Sequence, residues 1–155
     1  MADSTRIEDL ITGYISGKKQ FIGDSAALLT VAGIGTFSYR GSLDFGGSEY
    51  AEAQIKWLTP QKKADDDTYG WWHLSEGMYI AELNERIAPE TERLFLMQIW
   101  EPAQRAGIVH PSFVLHPEDH SGMDKEQKPL RVTVSVGSTG VDIKENARLS
   151  KLVLF

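Results

Sequence analysis

After residue 20 the chain runs mostly in short stretches that alternate apolar and polar side chains, broken by glycine and proline. That period of two is the mark of strands that bury one face. From Ala51 to Leu58, Ala51, Ala53, Ile55 and Trp57 fall on one face and Glu52, Gln54 and Lys56 on the other, which predicts a half-buried strand. From Leu130 to Val136, Val132, Val134 and Val136 make the apolar face and Arg131, Thr133 and Ser135 the polar one. Ala27–Ala32, Met78–Leu83 and Leu149–Phe155 read as further strands. Arg93–Trp100 is apolar enough for a buried strand and is bounded by Pro89 and Pro102. Glu101–Gly107 then reads as one helical turn, with Pro102 at a first helical position and Gly107 at its end, before Ile108–Leu115 returns to extended structure.

Helical periodicity is strong only near the start. Ser4 or Thr5 caps a short N-terminal helix, with Glu8 three residues after Thr5, apolar Ile7, Leu10, Ile11 and Tyr14 on one face, and Gly13 and Gly17 at its close. The glycines from Gly33 to Gly47 signal turns and bulges rather than a phosphate cradle, since no strand-to-helix transition follows. Pro60–Gly70, with Lys62, Lys63 and three consecutive aspartates, reads as a solvated loop, and Tyr69, Trp71 and Trp72 after it as core or interface. Gly137–Gly140 reads as a hairpin turn. The sum is an all-β sandwich, barrel or jelly roll. Its last strand is expected to lie at an exposed edge, open to pairing with a neighbouring copy.

Composition narrows the partners. The 155 residues are expected to form one domain, 1–155, with 41% hydrophobic and 25% charged content and a net charge of −6. An acidic chain without a basic patch argues against nucleic acid. No stretch approaches the roughly 18 apolar residues of a membrane span, and no apolar signal core opens the chain, so a cytoplasmic protein is expected. The absence of cysteine removes disulfides, thiolate nucleophiles and thiolate metal sites.

Five segments, in order, resemble the superfamily of dUTPases and dCTP deaminases. Ser42-Leu43-Asp44-Phe45-Gly46 is similar to the family's Ser-Tyr-Asp-Leu segment, and Leu74-Ser75-Glu76-Gly77-Met78-Tyr79 to its Leu-x-Pro-Gly-x-Phe/Tyr turn. Leu83–Pro89 is similar to Leu-x-Glu-x-Ile-x-Leu-Pro, one residue shorter. Arg105-Ala106-Gly107 matches the end of the phosphate-binding turn Arg-Ser-Ser-Leu-x-Arg-x-Gly, and Ala147–Leu152 resembles the Arg-Ile-Ala-Gln-Leu strand. The resemblance implies a distorted β-barrel, a homotrimer, and a nucleotide triphosphate held with Mg2+ by the central turn. Arg105, Gly107, Arg148 and Lys151 are the residues it leaves as nucleotide-binding candidates.

The family's hydrolytic groups are replaced. Its leading Arg-Ser-Ser corresponds to Trp100-Glu101-Pro102, which removes a cation and two hydroxyl donors, places an acid near the phosphates and leaves a residue without an N–H. Two negative groups about 4 Å apart at a surface repel by up to several kcal/mol. The water-activating aspartate lines up with His116 and the deaminase glutamate with Ser135. The leading expectation is therefore a catalytically silent trimeric binding or scaffold protein. The alternative is an active deoxynucleotide pyrophosphatase or deaminase with relocated groups, in which Arg105, Arg148 and Lys151 contact phosphates and His116 or Asp119 activates water. A third reading is a metal-dependent enzyme using His110, His116 and His120, whose nitrogens suit zinc. The segment reads as strand then loop, and these residues as polar loop histidines.

Overall fold

The computed structural model describes residues 5–120 and 127–155. In chain order it holds β1 (Ile11–Thr12), α1 (Gly17–Gln20), β2 (Phe21–Ile22), β3 (Ala26–Tyr39), β4 (Gln54–Trp57), β5 (Trp71–Leu74), β6 (Gly77–Leu83), β7 (Arg86–Ile87) and β8 (Phe95–Ile99). There follow α2 (Glu101–Ala106), β9 (Ile108–Val109), β10 (Phe113–Leu115), α3 (Pro117–His120), β11 (Arg131–Val136), β12 (Val141–Lys144) and β13 (Arg148–Leu154). Short antiparallel strands dominate, and the main sheet curls into a half-barrel, the all-β fold of the dUTPase-like type.

β3 is the spine. Its first half pairs with β13 and β2, its second with β6 and β4, and a register shift between Val31 and Gly33 marks where it passes from one set of partners to the other. Of the glycines expected to make turns and bulges, Gly33 and Gly35 lie inside this fourteen-residue strand, Gly33 at the register shift, and Gly41, Gly46 and Gly47 lie in the segment after it. At Gly35 a Cβ would stand 2.4 Å from Ile55 Cγ2, so glycine there permits the approach of β4. The strand path is β10-β8-β13-β3-β6-β11-β9, with β12-β5 and β1-β7 as separate pairs. Between the layers lie Leu29, Val31, Ile34, Phe95, Met97, Val134 and Leu152, all essentially without solvent contact. No helix among the described residues is long and apolar enough to cross a membrane.

Four expectations give way to tertiary pairing. Ser4 lies outside the described residues, and the N-terminal helix is one 3-10 turn, Ile7–Asp9, with Arg6 at its N-cap making no side-chain cap bond. Ile11 pairs with Ile87 in a strand, and Gly13 turns the chain at φ 81°, so the apolar spacing serves two short elements. β13 is not an edge, because β3 and β8 cover both its sides. Gly137–Gly140 is a turn but not a hairpin: β11 pairs with β6 and β9, whereas β12 pairs with β5. The stretch from Ala51 to Leu58 is strand only over β4, and Trp57 there is 43% exposed.

Candidate functional site

The helical turn expected over Glu101–Gly107 forms. β8 ends at Ile99, Trp100 is the N-cap of α2, Pro102 lies in its first turn, and Gly107 closes it at φ 110°, its N–H reaching the carbonyls of Ala103 and Gln104. The helix then turns its charge on itself. Glu101 and Arg105 form an ion pair one helical turn apart, both largely exposed. Arg105 is thus held beside an acid of its own helix, and Trp100 contributes no side-chain cap. Arg148 approaches from β13, its guanidinium 4.5 Å from the centre of the Trp100 ring and one Nη donating to the Lys19 carbonyl at 3.3 Å. Lys151 sits further along β13, opposite Leu28 and Gln98. Arg105 and Gly107 thus belong to α2 and its C-cap, Arg148 lies against its N-cap Trp100, and Lys151 is further along β13.

The histidine candidates separate. His116 is exposed, and its backbone N–H donates to Asp119 Oδ2 at 2.8 Å, which employs Asp119 as a cap on the first turn of α3. His110 and His120 are buried, contrary to the loop reading, and His120 lies in α3 rather than in a loop. His110 Nδ1 donates to the Pro111 carbonyl at 2.9 Å, so the neutral ring keeps a bare Nε2, which accepts the Ser150 hydroxyl at 2.8 Å. Ser150 has no solvent exposure, so this pair locks β13 rather than presenting a nucleophile. His120 packs edge-on against Phe95, and neither ring nitrogen has a hydrogen-bond partner among the described residues. Among those residues no three His, Asp or Glu side chains stand close enough to share an ion. Among the described residues His110, His116 and His120 therefore do not come together as a zinc site.

Burial depresses the pKa of both His110 and His120, partly offset at His110 by the Pro111 carbonyl and at His120 by the nearby Asp119 and Glu118 carboxylates of α3. A group held neutral in the fold but free to protonate when unfolded stabilises the native state above about pH 6.5, and that stability drains away as pH falls. His120→Leu is expected to bring the urea midpoints at pH 5.5 and pH 7.5 closer together than in the wild type. An unchanged gap would assign the acid loss elsewhere.

The strongest buried polar cluster was not singled out in the sequence. Glu85 has no solvent exposure. It accepts from Thr30 N–H at 2.7 Å, Thr30 Oγ1 at 2.6 Å and Gln20 Nε2 at 2.8 Å. Asn84 continues the chain to Thr30 Oγ1 and Asn146 Oδ1, both at 2.9 Å, and Asn146 holds a left-handed φ of 68°. Desolvation raises the Glu85 pKa, and the donors from Thr30 and Gln20 pull it back in part. A signal was available: Leu83, Glu85 and Ile87 share one face at a period of two, so the acid lies on the buried side.

Two clefts adjoin α2, both reaching Ala106. One, about 240 Å³ and almost wholly apolar, opens between Trp71 and Trp100, with Ala103, Ala106 and Ile143 in its walls and Lys144 and Arg148 at its margin. The other, about 640 Å³ and polar, carries Glu76, Ser138, Thr139 and the cross-strand pair His73–Asp142, in which Nδ1 and Oδ1 are 2.6 Å apart. Both members of that pair are more than half exposed.

No protein-family model matches the chain, and no curated protein matches it. Among solved structures it is similar to a 2'-deoxycytidine 5'-triphosphate deaminase from Agrobacterium tumefaciens, with a TM-score of 0.56 and 13% identity over 94% of this chain. The match spans 42% of that protein's length. At such identity the likeness establishes the fold.

Proposed function

We propose that this chain is a homotrimeric binding or scaffold protein on a dUTPase-like fold whose nucleotide-hydrolysing site is silent. The observation that carries the reading is the opening of α2. Where the resemblance implies phosphate-binding donors, Glu101 pairs with Arg105, and Pro102 offers no N–H. Asp119, the carboxylate that the active alternative would employ, is engaged with the His116 backbone. Incubation with dUTP or dCTP and Mg2+ is expected to release neither pyrophosphate nor ammonia, and deoxynucleotides should leave the melting temperature unmoved. Turnover that Arg105→Ala abolishes would overturn the reading.

Assembly is supported by a surface other than β13. Beyond residue 35 the outer half of β3, the following loop and β4 expose Phe37, Tyr39, Leu43, Phe45, Tyr50 and Trp57, with Leu43 at 89% and Phe45 fully open. A concave face of about 590 Å³ lies among them, lined by Phe37, Leu43, Tyr50 and Ile55. So many large apolar side chains in one region mark an interaction surface rather than a solvated one. Light scattering is expected to give three times the 17.3 kDa chain mass, and Leu43→Asp with Phe45→Asp to give the mass of one chain. A wild-type protein of single-chain mass would remove the trimer from the proposal.

A further inference from the structure

The cleft beneath α2 has a chemistry of its own. Two indoles wall it, those of Trp71 and Trp100, both half-buried in a chain that buries Trp72 completely enough to hydrogen-bond its Nε1 to the Leu58 carbonyl. Cations gather at these rings. Lys63 Nζ lies 4.2 Å and Lys144 Nζ 5.7 Å from the centre of the Trp71 ring, and the Arg148 guanidinium 4.5 Å from that of Trp100. The placement follows from the fold, since Lys144 is the cross-strand partner of Trp71. None of the three cations forms an ion pair with a carboxylate among the described residues, although the chain carries a net charge of −6. One acid, Asp142, lines the cleft, and its carboxylate is engaged with His73. An apolar slot with aromatic walls favours a flat ring, and about 240 Å³ is room for one ring rather than a nucleoside. Cations without acid partners at its margin favour a negative charge on that ring.

We infer that the cleft between Trp71 and Trp100 is a binding site for a small molecule made of one planar aromatic ring bearing an anionic group, with the ring between the indoles and the anion on Arg148 and Lys144. The inference rests on the binding-protein reading and names the ligand class for it. It also separates two parts of the surface: the ion-paired opening of α2 is closed to phosphates, while the underside of the same helix is open to a ring. Arg148 is the residue that joins them, because its aliphatic stem and guanidinium border the cleft while one Nη reaches the Lys19 carbonyl.

The test is a tryptophan-fluorescence titration of the full chain with benzoate and with phenyl phosphate, which distinguishes a carboxylate from a phosphate as the anion. Acetate supplies an anion without a ring, benzyl alcohol a ring without charge, and benzylamine a ring with the opposite charge. Saturable quenching is expected for at least one of the two anionic rings, with affinity at least tenfold above that of any control. Arg148→Gln should weaken it at least fivefold, and Lys144→Gln, on an exposed strand position, gives the same answer if the first variant folds poorly. Ala106→Leu, which fills the slot from α2, should abolish binding. Absence of saturation by both anionic rings, equal binding of benzylamine, or full binding by Ala106→Leu would overturn the inference. Its fate is separable from that of the silent-site reading: release of pyrophosphate or ammonia from a deoxynucleotide bears on that reading, whereas the titration measures the cleft directly.

Discussion

Glu85→Ala is expected to lower the melting temperature by about 10 °C, corresponding to about 3–5 kcal/mol for removing one partner of a buried charged network in a chain of this size. The variant leaves the Thr30 N–H, the Thr30 hydroxyl and one hydrogen of Gln20 facing an empty space that water does not reach from solvent. A buried donor without an acceptor costs about 1–3 kcal/mol, and the loss is only partly offset by no longer burying a carboxylate. Gln20 is also the residue whose Oε1 accepts from the N–H groups of Ile15 and Ser16, so the damage spreads to α1 and the turn before it. Glu85→Gln separates charge from shape: its single carbonyl oxygen satisfies one side of the network and turns an NH2 toward donors on the other. Its sign with pH is fixed by the raised pKa. A carboxyl whose folded pKa lies above its unfolded value stabilises most below the unfolded value and loses that contribution as pH rises through the folded one. The stability gap between wild type and Glu85→Gln should therefore narrow from pH 4 toward neutral. A gap that widened with pH would show that the donors outweigh desolvation, and a melting temperature unmoved in Glu85→Ala would remove the network from the fold's stability altogether.

What could be read in advance followed from local rules, and what could not followed from long-range ones. α2 was legible because proline at its start and glycine past its end are demands of the local backbone. β11 was legible because its alternation is matched residue by residue by its burial. The N-terminal helix failed because Ile7 and Ile11 satisfy a helical spacing by accident, each buried through a different contact: Ile7 N–H bonds to Asp24, and Ile11 pairs with Ile87. The place of β13 was illegible because an apolar strand reads the same at an edge as in the centre, and only the partners β3 and β8 decide. The same holds for the candidate site. Arg105 and Gly107 were visible through a short motif. The Glu101–Arg105 pair needed only helical spacing, yet the neighbours that give the region its character, Trp71 and Lys144, arrive from strands roughly thirty residues before and forty after α2. His120 was misread because a histidine following two acids looks solvated, whereas α3 turns its ring against Phe95. Histidines, glutamates and tryptophans carry little positional information without the contacts that surround them.

Gly140→Ala is expected to cost about 3–5 kcal/mol, the sum of a left-handed backbone imposed on a residue with a Cβ and an overpacked contact. Gly140 stands at φ 75°, and an added Cβ would lie 2.6 Å from the carbonyl oxygen of Leu74, which is backbone and cannot rotate aside. The position matters because here the chain leaves the large sheet at β11 and enters the small one at β12. Gly137 N–H, in the same turn, bonds to the Gly107 carbonyl and so ties the crossing to the end of α2. Moving the turn to relieve the contact would shift β12 against β5 and with it Lys144 against Trp71. Gly23→Ala is the internal control, since Gly23 has φ 61° with nothing near its Cβ, and should cost only the backbone penalty of about 1–2 kcal/mol. Chemical denaturation of the two variants isolates the contact as their difference. If Gly140→Ala were no worse than Gly23→Ala, the Leu74 carbonyl would have to yield freely, and the crossing would not be the rigid junction that holds the cleft walls in register.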